Sequence, residues 1–222
     1  MFRIRSTARV PMMVATLLVG VGTSTLAQPY GATHRAEITP FGGYSWGGSF
    51  ETSAFNNLSA GKLKEQSSAA WGVMLSFLTA ASSAAELYYL RQQTDVDFKP
   101  NGGQERKAGE MSNNYVQLGF RQDIPTQGGM HPFITGSLGI NVLDPVGGDL
   151  DSSTRFSWSL GGGLRYMKPA SRVGIRLDAK WMVTPVPSGT YGTWCDYWGC
   201  YTTSGTDWLH QGSAGLGLIF AF

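Results

Sequence analysis

Between Val173 and Val183 charged side chains recur at every second residue. Arg176, Asp178 and Lys180 alternate with Ile175, Leu177, Ala179 and Trp181. Glu37, Glu86, Arg121 and Arg165 occupy polar positions in other alternating stretches. Opposite charges spaced in this way suit two chemistries: a path for protons or ions, or a set of ion pairs neutralising one another away from water. An isolated buried ion is very costly. The residue pattern therefore favours an interior ion-pair and hydrogen-bond network over a conducting path.

Covalent catalysis finds less material. A nucleophile needs a base within hydrogen-bond reach, and the chain has only three histidines, His34, His131 and His210. His210 with Ser213 or Ser204 is the one pairing that would suit a lipid hydrolase, and its spacing carries no signature. Gly161-Gly162-Gly163 is not a phosphate loop, because neither GxxxxGK[ST] nor a following helix accompanies it. The expectation is a protein that is not an enzyme and uses no cofactor.

Cys195 and Cys200 are the only cysteines. Two cysteines without a nearby histidine make a poor zinc site, so a disulfide is the favoured reading and no metal is expected. Such a bridge would close a short hairpin tip, adding on the order of 2 kcal/mol in the loop-entropy account. Tyr191, Trp194, Tyr197, Trp198 and Tyr201 surround the pair. They read either as a loop interaction surface, since aromatics anchor many interfaces, or as anchors resting on a lipid surface.

These groups must be positioned by strands. The chain carries no convincing helical period beyond the N-terminus, whereas alternation of period two recurs throughout. Eight strands are predicted, at Ala36–Trp46, Trp71–Leu78, Glu86–Phe98, Tyr115–Arg121, Phe133–Val142, Phe156–Tyr166, Val173–Val183 and Trp208–Phe222. Each sets an apolar row against a polar one, as Val116, Leu118 and Phe120 stand against Gln117 and Arg121. The third strand is irregular. Turning Glu86 inward turns Arg91 toward lipid, unless a bulge near Tyr88 to Leu90 shifts the register.

The connections alternate in length. Ser49–Ser68, Lys99–Met111, Leu143–Ser153 and Pro187–Thr206 are the longer ones, and Thr79–Ala84, Asp123–Met130 and Lys168–Ser171 the shorter. Long loops on one side and short turns on the other are the habit of outer-membrane barrels. Aromatics gather at both strand ends: Tyr44, Trp46, Trp71, Trp158, Trp181 and Trp208 at one, Phe77, Phe120, Tyr166 and Phe222 at the other. Such girdles mark the two membrane interfaces. The predicted fold class is all-β, an eight-stranded antiparallel up-and-down transmembrane β-barrel spanning 35–222. An interior of that size is just filled by side chains, which argues against a general porin.

Residues 1–27 read as a signal peptide, with Arg3, Arg5 and Arg9 ahead of the apolar Val10–Val21 stretch and small residues at Thr25-Leu26-Ala27. Residues 28–34 read as a short linker. Without the signal, Lys+Arg falls from 17 to 17 − 3 = 14 against 15 Asp+Glu, a net charge near −1. The charge balance therefore gives no reason to expect nucleic-acid binding.

The chain resembles the OmpA/OmpX-like outer membrane protein β-barrel domain family. The resemblance rests on Ile38-Thr-Pro-Phe-Gly-Gly-Tyr44, Pro132-Phe-Ile-Thr-Gly-Ser-Leu-Gly139, Leu160-Gly-Gly-Gly-Leu-Arg165, Val173 to Trp181 and the terminal aromatic Phe222. It implies a cell outer membrane location and contact with outer-membrane lipid. It also implies that Gly217, Leu218, Phe220 and Phe222 form the C-terminal signal read by the barrel-assembly machinery, although Gly215 stands where a polar residue is common. The family's extracellular loops imply an unknown extracellular ligand and a structural or surface-interaction role. A soluble lipocalin-like ligand-binding barrel is the remaining alternative. It requires apolar residues inside, and the inward row of Arg121, Arg176, Asp178 and Lys180 runs against it.

Overall fold

Among the described residues twelve strands form, in chain order β1 (Ala36–Trp46), β2 (Ser49–Ser53), β3 (Gly61–Glu65), β4 (Ser68–Ala80), β5 (Ser83–Pro100), β6 (Arg106–Asp123), β7 (Met130–Val146), β8 (Ser153–Met167), β9 (Val173–Val186), β10 (Thr193–Asp196), β11 (Gly199–Thr203) and β12 (Asp207–Ala221). The computed structural model describes residues 34–53, 61–101, 103–126, 129–146, 152–168, 171–186, 193–196, 199–203 and 207–222. At 50–53, 61, 145, 186, 193–196, 199–203 and 207 the description is of the backbone alone. The expected signal peptide, the linker up to residue 33, Tyr191, Tyr197, Trp198 and Ser204 lie outside the described residues.

Eight of the twelve strands close a ring. β1 pairs with β4, β4 with β5, and so on through β6, β7, β8 and β9 to β12, which pairs back with β1, every pairing antiparallel. The ends are tied at the closing seam, where the Phe222 amide donates to the Ala36 carbonyl at 2.9 Å and the Arg35 amide to the Phe222 carbonyl at 2.8 Å. Closure removes the sheet edges, the condition for strands to cross a bilayer.

The side-chain period of two then sorts each strand into two faces. Outward stand Ile134, Leu138 and Ile140 of β7, Phe156, Leu160 and Leu164 of β8, Ile175, Leu177 and Trp181 of β9, and Leu216, Leu218 and Phe220 of β12, all exposed. The expected aromatic ends are on this face as well, with Tyr44, Trp46, Trp71, Trp181 and Trp208 at one rim and Phe77, Phe120, Tyr166 and Phe222 at the other. Inward stand Glu37, Glu86, Gln117, Arg121, Ser157, Arg165 and Arg176, all buried. Polar inside and apolar outside is the reverse of a soluble ligand-binding barrel.

The structure resolves one open register and corrects one expectation. β5 runs in unbroken register through Tyr88 to Leu90, and its irregularity lies higher, between Val96 and Asp97. Arg91 does face outward. It is opposite Trp71 in the rim girdle, where a long cation reaches the headgroups without crossing the lipid core. Further, the first and last long connections are not irregular throughout: they carry β2 and β3, and β10 and β11. β3 pairs with β5 at Val96 to Pro100, β2 with β3, β11 with β2, and β10 with β11. An 18-residue strand such as β5, at ~3.3 Å per residue and tilted ~45°, rises roughly 40 Å, well beyond an apolar band of ~25 Å. Its upper part, with that of β6, therefore stands outside the bilayer, where β3, β2, β11 and β10 continue the same sheet above the ring.

Candidate functional site

The lumen is layered, and each layer follows from the inward parity of the strands. At the end where Ala36 meets Phe222 three arginines meet four carboxylates. Arg121 Nη1 lies 3.2 Å from Glu37 Oε2 and 3.0 Å from Glu86 Oε1. Arg165 contacts Glu37 through Nη2 and reaches Asp123 Oδ2 at 2.9 Å through Nη1. Arg176 holds Glu86 with Nη1 at 2.5 Å and Nη2 at 3.2 Å, and Asp178 with Nε at 2.7 Å and Nη2 at 2.9 Å. Ser76 and Thr135 donate to Glu86 at 3.1 and 3.5 Å, and the Arg176 guanidinium lies 4.3 Å from the Phe133 ring centroid. Arg121 Nε is 3.0 Å from Asp123 Oδ1, close enough for Coulomb attraction but off-line for a hydrogen bond.

Of the sequence-selected residues, Glu37, Glu86, Arg121, Arg165, Arg176 and Asp178 are thus brought together across five strands. Lys180 makes no direct ion pair with that lattice. It lies higher on β9, its ammonium 3.8 Å from the Tyr88 ring centroid. Asp123 falls at the start of the connection predicted over 123–130, yet it ends β6 two residues beyond Arg121 and so shares its face.

Above the ion pairs Gln117 donates to Ser157 at 3.0 Å and accepts from Ser137 and Ser159 at 2.9 Å each. Next comes an apolar layer of Ala70, Met74, Tyr88, Leu90, Tyr115 and Met182, with Phe41 stacked on Tyr88 at 5.3 Å. Gly72 makes room for that ring: a Cβ there would stand 2.6 Å from Phe41 Cζ and 2.0 Å from the Tyr89 carbonyl oxygen. Beside Phe41, Tyr88 and Lys180 remains a cavity of about 10 Å³, room for about one water.

The outer lumen is polar again, formed by Ser45, Gln92, Thr94, Asn113, Thr184 and Gln211 around Glu65, all nearly fully buried. Glu65 accepts from Asn113 Nδ2 at 3.4 Å and from Gln211 Nε2, and Tyr115 donates to Gln211. Burial pushes the Glu65 carboxyl up to about 7, against the opposing pull of its two amide donors. Sequence reading passed over this group because Gly61-Lys-Leu-Lys-Glu65 is short and charged, without the apolar row of a ring strand. Over it lies a small core of Leu63, Val96, Phe98 and Met111, joined by Ala108 and Leu143.

Outside the ring, Cys195 and Cys200 occupy directly opposed positions of β10 and β11, and Trp194 is opposite Tyr201. His210 faces outward, stacked on Trp181 with centroids 5.5 Å apart. Ser213 is buried on the inward row, so the two side chains occupy opposite faces of β12 and form no dyad. Gly217, Leu218 and Phe220 lie on the closing strand and Phe222 just beyond its end, with Leu218, Phe220 and Phe222 on the lipid-facing side.

No family profile and no curated protein sequence matches the chain. Solved structures do match it. The Neisserial surface protein NspA is 12% identical over 84% of this chain and 97% of its own, with a TM-score of 0.52. The outer membrane protein AlkL, solved in lipid bilayers, is 14% identical over 90% and 96%, at 0.56. OprG, an outer membrane protein of Pseudomonas aeruginosa, is 12% identical over 85% and 97%, at 0.53. The shared property at these identities is the fold: this chain is built as an eight-stranded outer-membrane barrel.

Proposed function

We propose that the protein is a plugged barrel of the outer membrane that acts through its extracellular side, offering the sheet above the bilayer to a partner outside the cell. The fold and the lipid-facing belt support the location. The observation that carries the role is the division along β5 and β6. Their lower parts wall a lumen filled by ion pairs and by the Phe41–Tyr88 stack, while their upper parts carry β3, β2, β11 and β10 beyond the ring. A filled lumen disfavours solute passage, so the specific part of the molecule is the part outside. Outer-membrane lipid surrounds the belt, the barrel-assembly machinery is the partner during biogenesis, and the external ligand is reached by the outer sheet and its Cys195–Cys200 hairpin. The outward His210 and inward Ser213 favour a role without catalysis.

Two measurements on the full chain test this reading. Reconstituted into liposomes, the barrel should admit arabinose no faster than protein-free vesicles. On intact cells, an impermeant amine reagent should label the exposed Lys62, Lys64, Lys99 and Lys107. Rapid swelling, or lysines that label only after lysis, would overturn the plugged barrel or its orientation.

A further inference from the structure

Glu65 is the one carboxylate that the outer layer of the lumen holds among the described residues, and no cation answers it. Its two hydrogen bonds come from neutral amides. Lys62 and Lys64 on its own strand and Arg91 on β5 are exposed. Arg121, Arg165 and Arg176 are committed to the carboxylates of the lower layer, Lys180 covers Tyr88, and Arg155 on β8 has an interaction of its own. Residues 50–61 and 186–207 contribute no lysine, arginine or histidine.

The unpartnered atoms around it share one chemistry. Glu65 Oε1 and Asn113 Oδ1 are both buried acceptors without a donor, on side chains that are 1% and 0% exposed. Asn113 Nδ2 already donates to the other Glu65 oxygen, so the amide nitrogen faces the carboxylate and its oxygen is left over. Ser45 Oγ, of the same outer layer, is an unpartnered oxygen too. Buried acceptors in want of a positive partner are costly. Oxygen donors of this kind, carboxylate, amide and hydroxyl, suit a hard cation. A single negative charge in a low-dielectric layer balances a single positive one, whereas a divalent ion would leave a net charge buried.

We propose that the outer lumen binds one univalent alkali cation, with Glu65 Oε1 and Asn113 Oδ1 as its first two protein ligands. The cation would join β3 to β6 and, through Gln211, to β12, tying the base of the outer sheet to the ring.

The test uses the purified full chain in detergent at pH 8. Its unfolding midpoint is followed as choline chloride is replaced by sodium or potassium chloride at constant ionic strength. The expected result is a midpoint that rises and saturates with sodium or potassium, and no rise in Glu65→Gln. A second variant keeps the question open to an answer if that one folds poorly. Asn113→Asp adds a carboxylate to the same site and should shift the response from sodium or potassium to calcium. Equal midpoints in choline and alkali salts would overturn the proposal and leave a protonated acid or a water as the occupant. So would an alkali response that persists in Glu65→Gln, or wild-type protein that responds to calcium alone.

Discussion

Arg176 of β9 grips Glu86 of β5 across the lumen with two nitrogens, at 2.5 and 3.2 Å, while both side chains are all but fully buried. The strands they belong to are not neighbours in the ring. The pair therefore acts as a strut through the barrel interior and not as a reinforcement of one sheet pairing, and Arg121 adds a second contact to the same carboxylate.

Removing one end of this strut leaves buried charge uncompensated. Glu86→Gln is expected to destabilise the folded barrel by about 3–5 kcal/mol, read as a lower urea midpoint in lipid vesicles. The double variant Glu86→Gln/Arg176→Gln removes one charge of each sign and should recover part of that loss. A double variant that is simply the sum of its two singles would show that the two residues do not act as a pair.

Glu65 makes stability depend on pH in a direction that can be stated. Its folded-state carboxyl is raised from 4.5 to about 7, so between those values the folded chain holds a proton that the unfolded chain has released. Stability is then greatest below about pH 4.5 and falls as pH rises toward 7, by about 3 kcal/mol in all, with no further change from this group above that. The measurement is the difference in unfolding free energy between wild type and Glu65→Gln from pH 4.5 to 9, with choline as the only salt cation. A difference that does not vary with pH would contradict the burial of an ionisable carboxyl there.

The Phe41–Tyr88 stack depends on an empty space at position 72. Gly72→Val would drive a side chain into the Phe41 ring and the Tyr89 carbonyl, an overpacking expected to cost about 1–3 kcal/mol. Chemical denaturation in detergent would show the shift, and near-ultraviolet circular dichroism should report loss of the stacked rings. Unchanged spectra would mean that the ring does not need the space.

Parity along the chain was legible because one face of each ring strand is apolar for nearly its full length, as Ile175, Leu177 and Trp181 are against Arg176 and Asp178. The same rule located six of the residues in the lower ion-pair layer. It failed where the apolar row stops. β3 offers only Leu63 between Lys62 and Lys64, since outside the bilayer no lipid selects for a greasy face, and so Glu65 went unnoticed. Arg91 was read as a register conflict because sequence gives spacing but not height, and height is what makes an outward arginine tolerable beside Trp71.

Cys195 and Cys200 are paired in register across β10 and β11, and in an oxidising compartment a bridge between them is expected to persist. The folded protein should then resist alkylation until a reductant is added. Removing the bridge with Cys195→Ser/Cys200→Ser should cost no more than the ~2 kcal/mol expected of so short a closed loop, read as a small fall in the unfolding midpoint. Immediate alkylation without reductant would exclude the bridge.

The account stands on a closed barrel that folds only against lipid. Electrophoresis of residues 28–222 in cold detergent, with and without boiling, measures this directly when paired with circular dichroism. A compact band that shifts on heating, together with β-rich spectra in detergent or lipid but not in buffer, is the predicted result. A folded, monodisperse protein in plain buffer, with the same mobility before and after boiling, would contradict it.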